Sequence, residues 1–194
     1  MASSATSPQR LAPSLMLTDD DKAALLRVAR EAVVAEVGGL AAPASTAHRE
    51  LPGASGVFVT LKRRSELRGC IGTLQCRAGL AEEVARTARE SATEDPRFPP
   101  VSMNEIPELS LEISVLGPLE HIDPAEESAI VVGRHGLVVE QGIRRGLLLP
   151  QVAPEWGWTA EQFLRQTCRK AGLPDDAWQH GARVFRFQAD VFGE

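Results

Sequence analysis

The stretch Leu67-Arg68-Gly69-Cys70-Ile71-Gly72-Thr73 constrains this chain more than any other. It follows the apolar run Gly56-Val57-Phe58-Val59-Thr60-Leu61 across the polar turn Arg63-Arg64-Ser65-Glu66, so the two read as strands joined by a tight connection. Glycine within a strand marks a bulge, or a place where something approaches the backbone closely. Gly69 and Gly72 flank Cys70 on both sides, so some other element must come hard against this strand. Positions i and i+2 of a strand share a face, which puts Arg68 beside Cys70. A guanidinium near a thiol favours thiolate. Cys70 is therefore the candidate nucleophile, with Arg68, Gly69 and Gly72 as candidate binding residues. The plainer reading of Cys70 is a small buried strand residue, which is how most free cysteines behave. Arg68 on an inward face needs an anion, either a carboxylate of the protein or one from a ligand.

The remaining elements follow from spacing. Thr18-Asp19-Asp20-Asp21 offers a cap and acidic residues at the positive end of a helix, and Leu25, Val28, Ala29, Ala32, Val33 and Val37 continue it at helical spacing to Gly38-Gly39. Residues 40–55 read as an irregular connection. A second helix is predicted over 80–92, with an alanine-rich inner face. Leu109, Leu111, Ile113 and Val115 alternate with Ser110, Glu112 and Ser114, the pattern of a half-buried strand. Ile130-Val131-Val132 and Leu137-Val138-Val139 flank Gly133-Arg134-His135-Gly136 and read as a hairpin, with a further strand over 146–149. Thr159-Ala160-Glu161-Gln162 is a capping box, and Gly172 and Pro174 end the helix it opens. One last strand is expected over 183–192, with Phe185, Phe187, Ala189 and Val191 on one side. Strands that do not alternate strictly with helices give an α+β fold with a mainly antiparallel sheet.

A chain of 194 residues can bury a substantial core, and its 43% hydrophobic and 24% charged residues are ordinary for a globular protein. Its net charge of -5 argues against general binding to a phosphate backbone. No apolar run reaches bilayer length, so no membrane contact is expected. Residues 1–16 read as a disordered tail and 17–194 as one unit. The N-terminal stretch has no continuous apolar run of the kind a secretory signal needs. Three cysteines without such a signal point to free thiols in a reducing cytoplasm.

Further candidates come from turns. His135 lies in a glycine-flanked loop; a thiol–imidazole pair with Cys70 would suit nucleophilic catalysis, and a solvated or structural loop histidine is the alternative. Gln151 and Glu155 follow a strand end, near Trp158, where loops commonly build binding sites. Asp95-Pro96-Arg97-Phe98 reads as a turn that stops a helix, with an internal Asp–Arg pair. Cys70, Cys76, Cys168 and the four histidines show no metal-ligand spacing, and no glycine-rich phosphate loop is present. No cofactor is named by these residues.

LRGCIGT resembles the signature of the AMMECR domain family, met in bacteria and archaea as protein A of the AmmeMemoRadiSam system. Asp95-Pro96-Arg97-Phe98, Gly133-Arg134-His135-Gly136, Arg145-Gly146-Leu147-Leu148-Leu149-Pro150-Gln151-Val152 and Lys170-Ala171-Gly172-Leu173 resemble the family pattern in the same order. The resemblance implies two lobes with a cleft between them, the larger built from both termini and the smaller from the middle of the chain. It implies partners as well: a Memo-type protein and a radical S-adenosylmethionine protein. Two function classes stay open. One is a catalytic or substrate-presenting subunit of a modification pathway. The other is a non-catalytic module that binds a small anion, a peptide or nucleic acid.

Overall fold

The computed structural model describes residues 17–41, 51, 54–126 and 128–194. The expected tail, 1–16, and residues 42–50 and 52–53 of the expected connection lie outside the described residues.

Helix α1 (Asp19–Val37) starts where the sequence places it. Thr18 Oγ1 accepts the Asp21 N–H at 3.2 Å, and Asp21 Oδ2 accepts the Thr18 N–H at 2.9 Å. Strands β1 (Gly56–Arg63) and β2 (Glu66–Thr73) turn through Arg64 and Ser65, both at positive φ. That geometry matches the twist of the paired strands. Helix α2 (Leu80–Thr93) follows, then a 3₁₀ turn (Met103–Glu108) and β3 (Leu109–Leu116). The smaller strands β4 (Glu120–Ile122), β5 (Gly136–Gln141) and β6 (Arg144–Leu148) come next. Helices α3 (Val152–Glu155) and α4 (Ala160–Lys170) precede β7 (Arg183–Phe187) and β8 (Ala189–Gly193).

The strands form two antiparallel four-stranded sheets, ordered β2-β1-β3-β8 and β4-β7-β5-β6. In the first sheet Val57, Val59 and Leu61 of β1 and Leu111, Ile113 and Val115 of β3 face α1 and α2, meeting Leu25, Ala29, Val33, Val84 and Ala88. Each large side chain so buried contributes about 1.5–3 kcal/mol. In the second sheet Leu137, Val139 and Val184 pack on Phe163, Leu164 and Cys168 of α4. A third cluster joins the sheets: Leu116, Phe58 and Ala189 from the first meet Val138, Leu147, Phe185 and Phe187 from the second. The architecture is α+β, as the sequence implies.

Two expected elements are corrected. The segment 183–192 is two strands, not one: β7 lies in the second sheet and β8 in the first, with a break at Gln188, whose carbonyl accepts the Gly117 N–H at 2.9 Å. Its facing residues Phe185, Phe187 and Ala189 still share one apolar cluster, because the break occurs where the sheets touch. Ile130-Val131-Val132 is not a strand. The Val131 carbonyl accepts the N–H groups of Arg134 and His135, at 3.1 and 2.9 Å, and curls the chain into a turn. The hairpin is instead β5–β6, closed at Gly142-Ile143.

Candidate functional site

Strand β2 is an edge strand, so its outward N–H and C=O groups need partners outside the sheet. The turn after α2 supplies them. Asp95 Oδ2 accepts the Cys70 N–H at 2.8 Å, and Arg97 Nη2 donates to the Cys70 carbonyl at 3.3 Å. Arg97 also holds Asp95 through Nε and Nη2, at 2.9 and 2.7 Å, so the expected Asp–Arg pair is present. That guanidinium keeps the Asp95 carboxyl well below the usual carboxylate range, although burial pulls the other way. One residue on, Ser91 Oγ accepts the Ile71 N–H at 2.9 Å and donates to the Val59 carbonyl at 2.8 Å. The hydroxyl bridges two residues paired across β1 and β2.

The glycines are explained by this close approach. A Cβ on Gly69 would strike the Ser91 carbonyl, and one on Gly72 would strike the Phe58 ring. What comes against β2 is thus the backbone of α2 and an aromatic ring of β1.

Arg68 is the extra residue of a bulge, since Leu61 faces Gly69 but Lys62 faces Leu67. Its guanidinium runs to the 3₁₀ turn. Nε and Nη2 hold Glu105 at 2.8 and 3.2 Å, while Nη1 and Nη2 donate to the carbonyls of Pro99 and Pro100 at 3.0 and 3.3 Å. The anion that Arg68 requires is therefore a carboxylate of the protein. Glu105 is pulled to about 2, first by that arginine and then by the Ser102 N–H.

Cys70 is half-buried on the face of the first sheet opposite α1 and α2. It pairs across the strands with Thr60, whose hydroxyl donates to Sγ at 3.3 Å. Thr60 in turn faces Glu112 of β3, and Glu112 is paired with Lys62 at 2.9 Å. This part of the face is polar and partly open. Two residues along β1, Phe58 enters the apolar cluster that holds the sheets together.

Lys170 is the last residue of α4. Its position follows from the second sheet: Leu147 of β6 joins Phe58 in one cluster, and Gly146 beside it lies against the backbone of Lys170 and Ala171. The residue is exposed, yet burial pulls its pKa below the ordinary value. A Cys70 thiolate opposes that shift, and Arg97 adds to it. Neither Lys170 nor Arg97 was among the residues singled out as a site by sequence, although both sit in stretches that carried the resemblance.

The other candidates lie elsewhere. His135 is buried, at 6% exposure, and its Nδ1 accepts the Val131 N–H at 3.1 Å, so the neutral ring carries its proton on Nε2. Burial first, then Arg186 and Arg134, push its pKa down. No hydrogen bond joins it to Cys70 among the described residues. Gln151 is half-buried, with Oε1 enclosed and lacking a donor among the described residues. Glu155 is exposed, beside Trp156, which stacks on Trp158 at 5.9 Å. Cavities of about 430 and 350 Å³ are lined by Arg63, Arg64, Glu66, Leu67 and Arg68, and by a set around Ile130, Leu164 and Trp178; neither includes Cys70. Among the described residues no cluster of three or more His, Cys, Asp or Glu is placed to hold a metal. None of their helices is long and apolar enough to cross a membrane.

The chain is similar to a protein of Thermococcus gammatolerans, 48% identical over 181 residues that cover 88% of each chain. It is 45% identical over 195 residues to a protein of Thermofilum pendens, with 92% of each chain covered. The crystal structure of uncharacterized protein PH0010 from Pyrococcus horikoshii superposes with a TM-score of 0.79 at 46% identity, over 88% of this chain and 89% of that one. A family model described as AMMECR1 matches residues 26–192, and the chain belongs to the AMMECR1 family.

Proposed function

We propose that this protein is a catalytic or substrate-presenting subunit of a modification pathway, with the Cys70 thiol as its working group. The observation that carries the reading is the placement of that thiol. It is half-buried on a polar sheet face, held by the Thr60 hydroxyl, with its own peptide clamped by Asp95 and Arg97. Clamping of this kind fixes a reacting atom relative to whatever enters beside it. Lys170, with its pKa lowered, is the nearby group suited to take a proton. The family resemblance supplies the context: a Memo-type protein and a radical S-adenosylmethionine protein as partners, in a reducing cytoplasm where thiols stay free.

The alternative, a non-catalytic module that aims Arg68 at an anionic ligand, loses its anchor because Glu105 already occupies that guanidinium. The test is to purify the chain together with a Memo-type partner and map covalent adducts and bound small molecules by mass spectrometry. Adducts on Cys70 that vanish in Cys70→Ser support the reading. Co-purified partner and ligand that are unchanged in Cys70→Ser, with no adduct on the wild type, would sink it.

A further inference from the structure

The cavity of about 350 Å³ lies where the loop after β4 meets the start of α4 and the 3₁₀ turn Ala177–His180. Ile130, Leu164 and Trp178 give it apolar walls, and all three belong to the core beneath α4 or pack on it. Its charge comes from Glu126 and Glu161; no described lysine, arginine or histidine lines it. The loop is held in place. The Asp123 carbonyl accepts the Glu126 N–H and the Glu126 carbonyl accepts the Ala129 N–H, both at 3.1 Å, while Arg186 Nη1 donates to the Ala129 carbonyl at 3.0 Å. The cations that touch these elements already have carboxylates: Arg165 holds Glu161 at 2.7 Å, Arg186 holds Glu120 at 2.9 Å, and His180 faces Asp176 at 3.3 Å. The Glu126 carboxylate has neither an ion pair nor a hydrogen bond among the described residues. By sequence, residues 123–128 carry three carboxylates and no cation. The positive end of α4 does not reverse the sign, because Glu161 sits in its first turn and Thr159 Oγ1 accepts the Gln162 N–H. An exposed aromatic surface adjoins the cavity. Trp158, two residues before the wall residue Ala160, packs on the same core as Ile130 and stacks on Trp156, which is 70% exposed.

We propose that this cavity takes the lysine or arginine side chain of a partner peptide, its stem against Ile130, Leu164 and Trp178 and its charge at Glu126. An apolar neighbour in the same peptide lies on Trp156. The site does not include Cys70 and stands apart from the reading of that thiol. Long basic side chains bury their aliphatic stems and keep the charged head at the edge of water. A cation beside an indole gains further from the ring's negative face. The cavity is at the small end of ligand pockets, which run to about 300–1,000 Å³, so it suits a side chain better than a whole cofactor. The exposed Trp156 beside it favours a peptide over a free amine, because a free amine leaves that ring uncovered.

The test uses the full chain and a capped leucine–lysine–leucine tripeptide, with counterparts that carry norleucine or glutamate in place of the lysine. Binding is read from the indole N–H resonance of Trp178, identified by its loss in Trp178→Phe. The lysine peptide should shift that resonance saturably, with an affinity about fivefold or more above the norleucine peptide, and the glutamate peptide should leave it in place. Glu126→Gln should weaken the lysine peptide by about two- to fivefold and Glu126→Lys should abolish it, whereas Glu66→Gln on the first sheet should change nothing. Glu126 is exposed, and matching denaturation midpoints show that its variants are folded. Trp156→Ala should weaken the tripeptide and leave a single capped lysine unaffected. Lysine and norleucine peptides of equal affinity overturn the site, as does lysine binding that Glu126→Gln leaves unchanged, or no shift at millimolar peptide. A capped lysine that binds as tightly as the tripeptide overturns the peptide partner and gives the cavity to small amines.

Discussion

Asp95 accepts the backbone N–H of Cys70 at 2.8 Å, so a carboxylate from the turn after α2 does the work of a missing neighbour strand at the edge of the first sheet. The carboxylate is 5% exposed and is itself held by Arg97. Asp95→Asn keeps the shape and loses the charge. It should cost about 1–3 kcal/mol in denaturant unfolding, the usual penalty when a charged hydrogen-bond partner is lost. Exchange of the Cys70 amide should quicken in the same variant.

Acid should act on the same part of the fold. Asp95 and Glu105 are both held below their ordinary values in the folded chain, Glu105 at about 2. The unfolded chain therefore takes up protons first as the pH falls. Their contribution to stability is complete above about pH 4.5 and is lost progressively toward pH 2 and below. Denaturant midpoints measured from pH 6 to pH 2 should show that decline, with a shallower slope in Glu105→Gln. An equal slope in the variant would mean that the Arg68–Glu105 pair is not formed.

The three cysteines should separate by reactivity. Cys76 is half-buried against the first core, and burial, with the Glu83 carboxylate, pushes its thiol up to about 11. At pH 8 Cys76 is therefore held as the unreactive thiol. Cys168 is fully buried and also raised, by burial first. Iodoacetamide at pH 8 should label Cys70 before either. Labelling of Cys76 ahead of Cys70 would contradict this order.

Gly69→Ala should be far more damaging than Gly79→Ala. A methyl at Gly69 meets the carbonyl of Ser91, which belongs to the helix backbone and cannot swing aside. Overpacking of that kind costs about 1–3 kcal/mol or more. Around Gly79, at a helix start with φ of -61°, a Cβ meets nothing within 4 Å. Thermal unfolding of the two variants, side by side, checks the difference.

The capping box at α4 is formed, with the Thr159 N–H donated to Gln162 Oε1 at 2.9 Å and the Gln162 N–H to Thr159 Oγ1 at 3.2 Å. Thr159→Ala should lower stability by about 1 kcal/mol.

The caps at Thr18 and Thr159, the alternation of 109–116 and the turn pairing of Asp95 with Arg97 were all legible in the sequence. Each involves residues two to four positions apart, or a period of two along a strand, and such interactions are fixed by local backbone geometry. Gly69 and Gly72 likewise announced a close approach, without saying what would approach. The identity of that element was decided by the fold, which laid the Ser91 carbonyl and the Phe58 ring against them. The partner of Arg68 lies 37 residues away at Glu105. The joining of Phe58 and Leu147 in one cluster depends on the two sheets meeting. The division of 183–193 between those sheets belongs to the same class of fact, because its alternation is identical whether the strand continues or breaks. Periodicity records which side of a strand is buried; which burial partner it meets is set only when distant elements pack, and here that packing assembles the site.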